Sequence, residues 1–182
     1  MEGASDKKVV VLGGCGHIGL PLSIRLALAG WSVSVMDVNA EAVKRVSSGE
    51  VPFKENKGEE LLKAALATGR LTCTTDVSVC SDAPVVILTN GMDLDENGNP
   101  KLEELLAVFD RVVKSTGDDT LYIFRSTLYP GTMTLLRDHL AENYPNGKKT
   151  GRLAYCPERT AEMYALEEIT SLPQVIYISF YS

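Results

Sequence analysis

The sequence predicts an α/β fold, a doubly wound parallel sheet with helices on both faces. Three observations carry this. Apolar runs alternate with stretches of helical periodicity from Lys7 to Tyr155. The run Val85-Val86-Ile87-Leu88 is continuous rather than alternating, as in a strand covered on both faces. A glycine-rich turn separates the first apolar run from the first helical pattern.

In order, the first strand is expected over residues 7–12 and a helix over 18–29, stopped by Gly30. Residues 31–36 read as the second strand. Asn39 suits the N-cap of a helix over 40–47, which Gly49 ends. A helix over 59–67 closes at Gly69, and a short strand follows over 71–74. The strand over 84–89 precedes an amphipathic helix over 102–114, whose Leu102, Leu105, Leu106, Phe109, Val112 and Val113 share one stripe facing the core. A strand over 121–124, a helix over 133–142 and a short strand over 153–155 complete the series. Residues 93–99 and 143–151 read as polar surface loops.

Composition bounds the function classes. Hydrophobic residues at 45% and charged residues at 23% suit a soluble globular chain of 182 residues. A net charge of −6 with no basic face argues against a nucleic-acid partner. The polar start lacks the apolar core of a signal peptide, and no run approaches the ~20 residues of a membrane span. Cys15, Cys73, Cys80 and Cys156 show no metal-ligand spacing and are expected as reduced thiols of a cytoplasmic protein.

Gly14-Cys15-Gly16-His17-Ile18-Gly19 follows the first strand and opens the first helix. Asp37 ends the second strand, at the spacing of roughly 20 residues that a dinucleotide-binding fingerprint requires. Gly14 is expected to allow the tight turn, Gly16 to let a pyrophosphate approach the backbone, and Gly19 to let helix and strand pack closely. The helix N-terminus offers free N–H groups and a positive dipole end to phosphates. Asp37 is placed to accept from ribose hydroxyls and to repel a 2′-phosphate, so the expected cofactor is NAD on a Rossmann-type domain. A helix N-terminus lowers a thiol pKa, and Cys15 stands in that loop.

Further stretches sit where the ligand-side loops of such a sheet are expected: Ser48-Gly49-Glu50-Val51-Pro52-Phe53, Glu59-Glu60-Leu61-Leu62, Arg125-Ser126-Thr127-Leu128-Tyr129-Pro130-Gly131-Thr132 and Tyr155-Cys156-Pro157-Glu158-Arg159. With the glycine loop, they resemble the nucleotide-sugar dehydrogenase family, which includes UDP-glucose and UDP-N-acetyl-D-mannosamine dehydrogenases. The resemblance covers residues 7–176, the expected NAD-binding domain, and leaves 177–182 as an unmatched tail. The Cys-Pro-Glu-Arg form is closer to the UDP-N-acetylmannosamine branch.

The resemblance implies oxidation of a sugar C6 alcohol to a carboxylate, with two NAD and a thioester on a cysteine. Thr127 resembles a threonine near the nicotinamide, and Ser126 a neighbouring cofactor contact. Glu158 resembles the acid/base glutamate. Glu162 resembles a glutamate close to the cofactor, and Arg159 and Thr160 resemble substrate contacts. Read from the residues alone, Glu158, Arg159 and Glu162 equally fit a solvated charged turn, and Thr127 a turn hydroxyl. His17 and Ile18 lie inside the phosphate loop; His17 stands where the family has an aromatic and is expected to cover the cofactor as a flat ring.

Departures accompany the matches. The family's Thr-Pro pair after the fourth strand is Met92-Asp93 here, with Met92 at a cofactor-contact position. The glycine after the family's cofactor glutamate is Met163. Neither Cys15 nor Cys156 matches the nucleophile, and the family's nucleotide-binding C-terminal domain has no counterpart, so a UDP-sugar would be held together with a separate chain if at all. The readings left open are the NAD-binding part of a nucleotide-sugar dehydrogenase, inactive alone; a stand-alone NAD-binding module without turnover; and a 3-hydroxyacid-type dehydrogenase, which shares only the glycine loop.

Overall fold

Strand and helix alternate as expected in the computed structural model of the chain, which describes residues 7–91, 95–96, 98, 100–144 and 152–179. β1 (Lys8–Leu12), α1 (Gly19–Leu28) and β2 (Ser32–Met36) come first. α2 (Ala40–Ser47) and α3 (Gly58–Ala67) precede β3 (Leu71–Thr74) and β4 (Val85–Leu88). Then follow α4 (Leu102–Ser115), β5 (Leu121–Phe124), α5 (Thr132–Asn143), β6 (Leu153–Tyr155), α6 (Ala165–Ser171) and β7 (Tyr177–Ser179). Asn39 caps α2 as expected, its side chain accepting from the N–H groups of Glu41 and Ala42, each at 3.1 Å.

The strands form one sheet in the order β3-β2-β1-β4-β5-β6-β7. Neighbours from β3 to β6 are parallel; β7 is antiparallel to β6, so the sheet is mixed at that edge. After β6 the chain enters α6, where Arg25 of α1 donates to the Leu166 carbonyl and Leu166 N–H donates to Glu55. It does not cross back to the start of the sheet, so β7 runs in the reverse direction.

Successive side chains of β1 enter opposite cores. Val10 and Leu12 pack with Val86, Leu88, Phe109 and Leu136, on the face covered by α4 and α5. Val9 and Val11 pack with Leu20, Ile24, Val35 and Leu62, on the face covered by α1 and α3. Burial on both faces explains the unbroken apolar runs. Strand order reverses between β1 and β4, and at such a switch point the loops beyond the strand ends open a crevice for a ligand.

Candidate dinucleotide site

The loop after β1 is built on steric grounds. Gly13, at φ +70°, takes the left-handed step that the sequence reading gave to Gly14. Gly14 is required instead by close approach: a Cβ there would lie 2.7 Å from the Val11 carbonyl oxygen and 2.8 Å from Val35 Cγ1. At Gly19 a Cβ would lie 2.6 Å from Gly14 Cα, so helix and loop are in backbone contact. A Cβ at Gly16 meets only the Gly13 oxygen, at 3.4 Å, which leaves that side of the loop open. The N–H groups of His17, Ile18 and Gly19 have no acceptor among the described residues. An open glycine face above unclaimed amides fits a diphosphate.

Thr89, beyond β4, pins this loop. Its hydroxyl donates to the Leu12 carbonyl at 2.7 Å and lies 3.1 Å from that of Gly13. Asp37 holds the loop from the other side. Its Oδ2 accepts from Cys15 N–H at 3.1 Å and its Oδ1 from Asn39 N–H at 3.0 Å. Two of roughly four lone-pair positions are thereby used, and the rest are free for ribose hydroxyls. Burial, the Asp37 charge and Cys73 push the Cys15 thiol up to about 12. The lowering expected from the helix end is reversed, because the thiol is buried beside a carboxylate. Next to Asp37 a slot of about 310 Å³ lies between Leu12, Met36, Val38, Thr75, Val108 and Arg111. A mostly apolar slot beside a carboxylate with open lone pairs suits a flat heteroaromatic ring.

Two further loops join the same rim. Ser126, buried after β5, donates its hydroxyl to the Asn90 carbonyl at 2.6 Å and ties β5 to β4. Thr127 is exposed. His17 stacks on Phe53, with ring centroids 4.1 Å apart and planes 25° from parallel, so its flat ring is already partnered by the α2–α3 loop. Ile18 is half-buried at the start of α1. Glu158 sits after β6 with its side chain 8% exposed and ion-paired to Arg125, whose own side chain is 6% exposed. Its Oε1 accepts from Arg159 N–H at 2.8 Å and Thr160 N–H at 2.9 Å. Burial works against ionisation of Glu158, but the Arg159 N–H, the Arg125 guanidinium and the Thr160 N–H outweigh it and hold the carboxyl below its ordinary range. The Arg159 guanidinium donates to the Pro173 carbonyl at 3.3 Å. Glu162 is exposed. No hydrogen bond among the described residues joins Thr127 or Glu162 to the glycine loop or to Glu158. Met92 and Asp93 lie outside the described residues.

The sequence pattern of the UDP-glucose/GDP-mannose dehydrogenase family, NAD binding domain, matches residues 7–178. The chain belongs to this family.

As its NAD-binding domain, the chain is similar to the UDP-N-acetyl-D-mannosamine dehydrogenase of Methanococcus aeolicus, with 29% identity over 170 residues, 93% of this chain and 38% of that protein. A solved UDP-D-ManNAc dehydrogenase from Pyrococcus horikoshii superposes with a TM-score of 0.84 at 27% identity, covering 93% of this chain and 40% of that one. A UDP-glucose dehydrogenase from Pyrobaculum islandicum gives 0.78 at 27%, covering 93% and 40%. The chain thus spans about two-fifths of the length of these relatives. The NAD-binding domain's family pattern takes in Tyr177 and Ile178, which the sequence reading had placed in an unmatched tail and which pair with β6.

Sequence reasoning put Arg125 in a ligand-side stretch without giving it a role, and gave none to Thr89, Gly13, Thr75 or Arg111. Arg125 carried a weak signal, a cation directly after the apolar strand Leu121–Phe124; only the fold shows that it is buried and so needs a carboxylate. Thr89 and Thr75 carried none, since a threonine after a strand has many uses.

Proposed function

We propose that this chain is the NAD-binding part of a nucleotide-sugar 6-dehydrogenase, which converts a sugar C6 alcohol to a carboxylate. The observation that carries the reading is the Asp37 carboxylate held against an open glycine loop at the switch point of the sheet. NAD, when bound, supplies the hydride acceptor. The chain's residues do the rest. The amides of His17, Ile18 and Gly19 bind the diphosphate, Gly16 leaves it room, and Asp37 accepts from the ribose and disfavours NADP through its charge. Ser126, Thr127 and Glu162 stand for the nicotinamide end, with Met92 assigned there by resemblance alone. Glu158, Arg159 and Thr160 stand for the sugar end, where Arg159 suits a diphosphate. The similarity to UDP-N-acetyl-D-mannosamine dehydrogenases supports a UDP-sugar as substrate, bound jointly with the remaining length of the family, which lies outside residues 1–182.

Calorimetry of the purified chain with NAD and NADP tests the reading; equal or tighter NADP binding overturns it. A second reading, an NAD-binding module without turnover, is favoured by one observation: both oxygens of the Glu158 carboxylate are already bonded to protein donors. NADH production from UDP-N-acetylmannosamine or UDP-glucose, with and without a chain carrying the rest of the family's length, separates the two.

A further inference from the structure

We propose that Arg125 is a positioning residue that fixes the orientation and charge of the Glu158 carboxylate and ties it to the segment leading into β7. Arg125 closes β5, is 5% exposed, and donates from Nη2 to Glu158 Oε2. Its Nη1 donates to Cys156 Sγ at 3.0 Å and to Gln174 Oε1 at 2.8 Å. The backbones are joined as well, with Glu158 N–H donating to the Arg125 carbonyl at 2.8 Å. The other carboxylate oxygen is turned to the Arg159 and Thr160 amides. One guanidinium therefore bridges the end of β5, the turn after β6 and the connection between α6 and β7. Its Nε is buried with no acceptor among the described residues. The site keeps an orphaned donor beside the latched carboxylate, a cost that packing alone does not explain.

The consequence is chemical. Three of the carboxylate's roughly four lone-pair positions are taken, so a proton can enter only at the remaining position of Oε2, where the guanidinium beside it opposes protonation. The latch holds Glu158 ionised, and Gln174 holds the same guanidinium through its other terminal nitrogen, from the β7 side. A shift of the 172–176 segment alters the donors left for Glu158. The bearing on sugar chemistry rests on the nucleotide-sugar reading above; the latch itself does not.

Carbon-detected NMR of the full chain with labelled glutamate carboxyls tests this, with Glu158→Gln identifying the resonance. The expected result is a Glu158 midpoint below those of the exposed glutamates, with the Arg159 and Thr160 amide signals moving at the same midpoint. Arg125→Gln is expected to raise the midpoint, and Arg125→Lys, which keeps the charge but not the fork, to raise it less. If Arg125→Gln does not fold, the Lys variant carries the comparison. A native Glu158 that titrates with the exposed glutamates, or a Lys variant indistinguishable from native, overturns the proposal. NAD calorimetry on the same sample keeps the readings apart: a low Glu158 midpoint without NAD binding sinks the cofactor assignment and supports the latch.

Discussion

The Asp37 carboxylate holds the glycine loop through Cys15 and the start of α2 through Asn39. Asp37→Ala is expected to weaken NAD by about 1–3 kcal/mol, the scale of lost hydrogen bonds to a charged group, and to narrow the preference over NADP. Calorimetry with both cofactors checks it; an unchanged NAD affinity detaches the acid from the ribose. Gly19→Ala brings a methyl to within 2.6 Å of backbone that cannot give way, so loss of NAD binding together with a lowered melting temperature is expected. Met163 shows the opposite case. It adopts φ +71°, in the left-handed region, at the position where the family carries glycine. Met163→Gly is therefore expected to stabilise the fold by about 1 kcal/mol, read from urea unfolding. A loss of stability would mean that the exposed thioether packs usefully over the cleft of Val51, Phe53 and Tyr164.

Among the elements, those the sequence made legible are those with enough length or capping to leave a pattern. β1 to β6 and α1 to α5 follow the apolar runs and caps to within a residue or two. The turn Val77–Cys80 was not anticipated, because only short local bonds set it, among them Ser78 N–H to Asp76 at 2.9 Å and the Ser78 hydroxyl to Asp76 at 2.6 Å. α6 has seven residues, of which Ala165 and Leu166 are buried, too few for a helical stripe. β7 escaped because its apolar residues Tyr177 and Ile178 are exposed and the strand it pairs with lies more than 20 positions upstream. At the site, the glycine loop and Asp37 were legible because geometry dictates their residue types. The Arg125 latch was not, since it joins segments that only the fold brings together. The α4–α5 contact carries a pH prediction. Asp110 of α4 accepts from Lys114 and, across the helices, from Tyr144 at 2.9 Å and His139 at 3.4 Å. The Lys114 contact, then Tyr144 and His139, outweigh burial and hold its carboxyl below the ordinary range. A lowered folded pKa gives stability that is present above the unfolded value and lost as pH falls through the folded one. Asp110→Asn is expected to cost about 1–2 kcal/mol at neutral pH. The deficit should vanish once the native carboxyl protonates. Melting curves of both proteins from neutral pH into acid check this; a deficit that persists in acid assigns the loss to packing.

For the molecule as a whole, burial works against thiolate formation at three of the four cysteines. Burial first of all pushes Cys15 up to about 12, Cys80 up to about 11 and Cys73 upward as well, while Cys156 is buried under Arg125. A nucleophilic step needs a thiolate, and positioning of a substrate by a closed pocket is worth about 7–11 kcal/mol of barrier. The chain alone is therefore expected to bind NAD and to release no NADH from UDP-N-acetylmannosamine or UDP-glucose. Two NADH per sugar from the purified chain would redirect attention to Cys15 and Cys156. The reversed direction of β7 has a practical corollary. Ser179 pairs with Leu153, at the start of β6, so it lies at the rim of the sheet opposite the crevice, about 7 Å of strand away from the Tyr155 end. A fluorophore, an affinity handle or a surface tether attached at that end of β7 approaches the protein from its blind side. Immobilised there, the domain presents its cofactor mouth outward, to solution.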